Sequence, residues 1–134
     1  MIRFFIGIFL CVIAVTSRSA TANADQNDPR LDPLFADLQT SLSATAAQQI
    51  ENQIWQYWLS FPDDQNIENT MTAAMLMMER GRFQSAERIF GRIIDHEPHF
   101  AEAWNKRATV RFLAGNYNGS AKDIAQVLQL EPRH

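Results

Sequence analysis

Apolar and polar residues change their spacing three times along the chain, and each change marks a different kind of segment. Phe4 to Val15 is an unbroken run of twelve apolar residues. From Leu34 onward the apolar positions instead recur at steps of three and four, the period of a helix with one buried face. Leu34, Phe35, Leu38 and Leu42 trace a first amphipathic helix, with Asp32 and Pro33 as its cap and first-turn residue. Ile50, Ile54, Trp55, Trp58 and Leu59 trace a second, opened by a cap within Ser43 to Thr45 and stopped by Phe61-Pro62-Asp63-Asp64. Residues 34–62 therefore read as a helical hairpin, with both tryptophans on its apolar face, where large rings bury well. Residues 25–33 carry two prolines and no period, and read as a flexible leader.

Beyond the hairpin the pattern repeats. Residues 67–100 lie over residues 101–134 without a gap at an offset of 34. Identities are Gly81 with Gly115, Pro98 with Pro132, Glu97 with Glu131, Ala74 with Ala108 and Glu68 with Glu102. Phe83 with Tyr117, Ala86 with Ser120, Ile93 with Val127, Ile94 with Leu128 and Leu76 with Val110 are similar pairs. Each part of the pattern has a physical role. Ala74 and Ala108 let the two helices of a pair approach closely, with Ala86 and Ser120 opposite. Gly81 and Gly115 end the first helices by supplying a left-handed backbone. Pro98 and Pro132 stop the second helices. Phe83, Phe90, Tyr117, Ile124 and Leu128 are expected to fill the space between successive pairs. Since one pair cannot bury its apolar face alone, the pairs must stack.

A helical period of 34 resembles that of the tetratricopeptide repeat family. The resemblance covers 68 of the 110 residues after position 24. It rests on Ala74, Gly81, Phe83, Ala86, Phe90 and Pro98 in the first unit. In the second it rests on Trp104, Ala108, Gly115, Tyr117, Val127 and Pro132, and the run AEAWNKRATVRFLAGNY is similar to the first helix and turn of bacterial repeats. The implied fold is all-α: helical-hairpin repeats stacked as a short right-handed superhelix, following a signal peptide. The resemblance also implies a groove along the first helices that takes an extended peptide or a partner helix. Carried over by position, its lining is Met71, Thr72, Met75 and Met78 from the first repeat and Asn105, Lys106, Thr109 and Phe112 from the second. One wall is apolar and adaptable, as methionine is. The other offers an amide and a cation.

Three positions depart from the family pattern. Thr70 stands where the other repeat has Trp104, and Arg107 and Arg111 replace residues that are usually apolar. The arginines lie one turn apart on one face. An unpaired buried charge is costly, so they are expected to pair with Asp123 or a neighbouring acid, the alternative being an anion-binding site.

The apolar run at the N-terminus is too short to span a bilayer, which takes about 20 residues. Following Arg3 and ending in small residues, it has the form of a secretory signal peptide over residues 1–24, cut after Ala24 with Ala22 as the competitor. The alternative is an uncleaved anchor. Cys11, the one cysteine, departs with the leader, and Leu10 before it lacks the small side chain of a lipidation site. The exported chain then has no disulfide, no thiol chemistry and no membrane span. Without Arg3 and Arg18 it holds 10 basic against 15 acidic residues, a net charge of −5. That balance excludes a nucleic-acid partner, which needs clustered cations to neutralise phosphates.

Catalytic, cofactor and metal sites are not expected. His96-Glu97-Pro98-His99 straddles a helix-ending proline and lacks the facing geometry of a metal motif. Glu68 and Glu102 read as solvated acids in first helical turns, where the helix dipole favours them. The sequence thus points to a periplasmic or secreted non-catalytic adaptor for a protein or peptide. The alternatives are an envelope-assembly subunit docking or self-associating through an uncapped C-terminal face, and an enzyme-accessory subunit.

Overall fold

A computed structural model describes residues 26–60 and 64–134, and the signal peptide expected over residues 1–24, with its expected cut after Ala24, lies outside the described residues. Among the described residues six helices follow one another: α1 (Leu31–Thr40), α2 (Ala44–Leu59), α3 (Gln65–Glu79), α4 (Phe83–His96), α5 (Ala101–Leu113) and α6 (Tyr117–Leu130). Among the described residues there is no strand.

Short polar caps and glycine turns set most of these boundaries. Ser43 opens α2 by accepting from Ala46 N–H, Asp64 opens α3 through Asn66 N–H, and Asn116 opens α6 through Gly119 N–H. These bonds satisfy backbone donors that a first turn leaves free. Gly81 and Gly115 take φ of +70° and +81°, which L side chains adopt only with strain. The chain thereby reverses between α3 and α4 and between α5 and α6. Pro98 and Pro132 fall just past the ends of α4 and α6.

The helix pairs pack in series. Helix α3 lies against α4, α4 against α5, and α5 against α6, with a lighter contact between α3 and α5. One apolar cluster runs through the series, built on Ile67, Met71, Ala74, Ala86, Phe90, Ile93, Ile94, Phe100, Ala103 and Val110. Ala74, Ala86 and Ala108 are fully buried, as close approach of paired helices requires. Phe90 fills the space between pairs as expected. Tyr117, Ile124 and Leu128 do not: all three are exposed.

The N-terminal hairpin has its own core of Leu31, Ile54 and Trp58, joined by Leu34, Phe35, Leu38, Ile50 and Tyr57. Helix α1 begins at Leu31 rather than after Asp32, since the backbone turn from Asp28 C=O to Leu31 N–H already starts it. Asp32 and Pro33 become first-turn residues, where a missing N–H leaves no intrahelical bond unmade. The stretch read as a flexible leader is anchored from Gln26 onward. Gln26 is buried, donates to His99 C=O and accepts from Ala101 N–H, so it caps α5, whose own cap residue Phe100 has no acceptor side chain. Asp28 is buried and bound by the Arg30 guanidinium, and these bonds hold its carboxyl below the usual range.

Candidate functional site

The surface built by the first helices of the repeats, α3 and α5, is where the resemblance places binding residues, and its two halves differ. On α3, Met71 is buried in the core and supports the wall from behind, out of a ligand's reach. Thr72 is exposed, with its hydroxyl donating to Glu68 C=O 2.9 Å away. Met75 and Met78 are half-buried against the core cluster and present their remaining surface to solvent. On α5, Thr109 and Phe112 are exposed, and Phe112 meets Tyr117 edge-on at 5.3 Å between ring centroids.

Asn105 and Lys106 are engaged within the chain. Glu102 lies beneath them, 1% exposed; it accepts from Asn105 Nδ2 at 2.9 Å and forms ion pairs with Lys106 Nζ at 2.9 Å and with His134 Nε2 at 3.0 Å. Burial alone raises a carboxyl's pKa, but the His134 hydrogen bond and the Lys106 charge outweigh it, and Glu102 ends below its ordinary value. Glu102 is therefore a buried anchor rather than the solvated first-turn acid its position in α5 suggested.

Residues of the N-terminal hairpin complete this centre. His134 stacks on Trp58 with centroids 4.2 Å apart and planes 9° from parallel, and it meets Trp55 edge-on at 5.7 Å. Lys106 Nζ lies 5.5 Å from the Trp55 ring centre, within cation–π range. Arg133 reaches Asp32 at 2.7 Å and covers the Phe35 ring at 4.5 Å. It also binds buried Glu131, whose pKa burial would raise but whose Arg133 hydrogen bonds lower it. The hairpin thus rests on α5 and on the turn after α6, and the Asn105–Lys106 half of the expected groove is in contact with it. Trp58 is core, as its spacing indicates, while Trp55 lies partly exposed at the edge.

The paired arginines find the partner anticipated for them. Arg107 grips Asp123 with two parallel bonds, Nε to Oδ2 at 2.9 Å and Nη2 to Oδ1 at 2.8 Å. Arg111 Nη1 meets Asp123 Oδ2 at 2.8 Å, and its Nε reaches Glu87 on α4 at 2.7 Å. Bidentate geometry of this kind is what lets a nearly buried ion pair repay its desolvation. Both guanidinium groups are committed to these acids, which leaves an anion site without its cations.

The spacing of Gly81 and Gly115, the close-packed alanines and the serial pairing of α3 to α6 define one structural unit used twice. A protein of Rhizobium etli described as a TPR repeat-containing protein is 35% identical over 128 residues, covering 91% of this chain. The chain is similar to a tetratricopeptide repeat protein over most of its length. It spans 58% of that relative's length. No family model matches the chain, and no solved structure matches it. Repeat proteins of this family are interaction modules in general, and no described helix is long and apolar enough to cross a membrane.

Sequence reasoning missed the Glu102–His134–Trp58 centre. Its members are 32 and 44 residues or more apart and follow no period. The one available sign was the recurrence of Glu68 as Glu102, which marks a position without saying what surrounds it.

Proposed function

We propose that the chain is an exported, periplasmic adaptor without catalytic activity that binds a protein segment along α3 and the free part of α5. What supports this reading is that the two first helices leave Thr72, Thr109 and Phe112 exposed and Met75 and Met78 half-exposed, the methionines being apolar and adaptable. Asn105 and Lys106 border these residues, held rigid by Glu102. Export is supported by the twelve-residue apolar run behind Arg3 and the small residues before Asp25.

Affinity capture from the native envelope tests the binding, using the wild-type chain beside Met75→Glu and Phe112→Glu. Partners recovered by the wild type and lost by both variants support binding there. Recovery of the same partners with all three chains contradicts it. Cell fractionation tests export: a full-length chain retained in the cytoplasm contradicts that part alone.

A second reading, an envelope-assembly subunit, is favoured by the exposed apolar face of α6, where Tyr117, Ile124 and Leu128 stand in the open.

A further inference from the structure

The 34-residue equivalence allows each buried residue to be compared with its counterpart one repeat away, and the comparison separates two kinds of burial. Residues that pack inside a pair keep their burial in both copies: Ile93 and Val127, Ala74 and Ala108, Ala86 and Ser120. Residues that pack between pairs do not. Phe90 and Ile94 on α4 are buried, whereas their counterparts Ile124 and Leu128 on α6 are 40% and 47% exposed. On the other side of the same junction Ala103 and Val110 of α5 are fully buried, whereas their counterparts on α3, Asn69 and Leu76, are exposed, Leu76 at 39%.

The molecule therefore carries both halves of its own α4–α5 junction a second time, uncovered, at opposite ends of the repeat block. We infer that α6 of one chain docks on α3 of a second copy, reproducing the α4–α5 junction between molecules. This deepens the assembly-subunit reading and rests on it, by naming the partner and the two faces that meet.

Charge is compatible with the contact. Inside the chain the junction is crossed by the Arg111–Glu87 ion pair. The counterparts of those residues are Met77 and Ala121, so the intermolecular copy sets two apolar residues at that point and strands no charge. Arg107 is likewise replaced by Ala73, which is exposed on α3. The N-terminal hairpin rests on α5 and the terminal turn, with Leu59 of α2 at the edge of the shared cluster, and Asn69, Ala73 and Leu76 on α3 stay exposed. A contact between two different faces is head-to-tail, so each added copy offers a new free face and assembly proceeds beyond a dimer unless the rotation closes a ring.

The test is sedimentation velocity on chains purified from cells expressing the full sequence, over a concentration series reaching about 100 µM. Leu128→Lys blocks the α6 face and Leu76→Asp blocks the α3 face. Both sites are surface positions, and helix content by circular dichroism checks the fold. If Leu76→Asp loses helix, Ala73→Lys blocks the same face. The wild type is expected to gain mass with concentration past the dimer, each variant alone to stay monomeric, and their equimolar mixture to form a 1:1 dimer and nothing larger. A wild type that stays monomeric overturns the inference. Variants that associate like the wild type, or a mixture that stays monomeric, overturn it equally. A monomeric chain that still captures a partner through Met75 and Phe112 leaves the adaptor reading intact and removes only this one.

Discussion

The two repeats reach the same backbone arrangement with opposite chemistry at their centres. Between α3 and α4, Met77 and Ile89 pack against the apolar cluster. At the equivalent positions in α5 and α6 stand Arg111 and Asp123, and with Arg107 they form an ion network in which Asp123 is 2% exposed. The fold is thus indifferent to whether this position is filled by hydrocarbon or by paired charge, provided every charge has its partner. The ionic version adds one thing that the apolar version lacks: Arg111 reaches back to Glu87 and ties the second pair to the first. Paired burial of this kind contributes less to stability than its bond count suggests, while breaking it is costly.

The largest effect expected on this contrast is that of Asp123→Ala. It leaves Arg107 and Arg111 facing each other half-buried with their shared acid gone, and urea unfolding should show a loss of about 3–5 kcal/mol. Close behind comes Phe90→Ala, which opens a cavity at the junction between pairs and should cost about 3–5 kcal/mol. The equivalent Ile124→Ala on the open face should cost well under half as much in dilute monomer, since much of that side chain already meets water. Equal losses at the two sites would mean that α6 is covered in solution. Gly81→Ala and Gly115→Ala meet no atoms in space, and their left-handed backbone alone sets the cost, about 1 kcal/mol each. A marked difference between the two glycines would show that the repeat turns are not equivalent.

The smallest expected effect concerns acid. Glu102 and Glu131 have folded pKa values below their ordinary ones. Each therefore contributes stability that is fully present above the unfolded-state pKa of about 4.3 and is lost as pH falls through the lower folded value. Thermal midpoints should hold at pH 6 and decline below about pH 4, and Glu102→Gln should flatten part of that decline. Glu102 faces Lys106, Asn105 and His134, and loss of its charge also loosens the hold on the N-terminal hairpin.

How much of this was legible in the sequence follows from which forces are periodic. The glycine turns, the close-packed alanines and the 34-residue unit are local or repeated constraints, and they showed in the spacing. So did the Arg107–Arg111–Asp123 network, because two cations on a helix face that should be apolar demand an acid. The docking of α2 on α5, and of α1 on the turn after α6, was not legible. It depends on Trp58, Trp55 and His134 meeting around Glu102, and side-chain contacts across such separations leave no pattern in a single sequence. Glu68 and Glu102 make the same point from one residue type: identical residues at matching positions acquire different surroundings from the tertiary contacts above them. The groove positions transferred by family pattern fared unevenly for the same reason, with Thr72 and Phe112 open, Met71 buried, and Lys106 engaged from below.

The central claim is that α3–α4 and α5–α6 are copies of one unit whose matching positions are interchangeable. Transplanting the first copy's residues into the second, as the triple variant Arg107→Ala, Arg111→Met, Asp123→Ile, tests it by equilibrium urea unfolding. The expected result is a single cooperative transition with stability unchanged or raised by up to about 4 kcal/mol, in contrast to the loss in Asp123→Ala. A triple variant as unstable as Asp123→Ala, or one that unfolds in two steps, would contradict it.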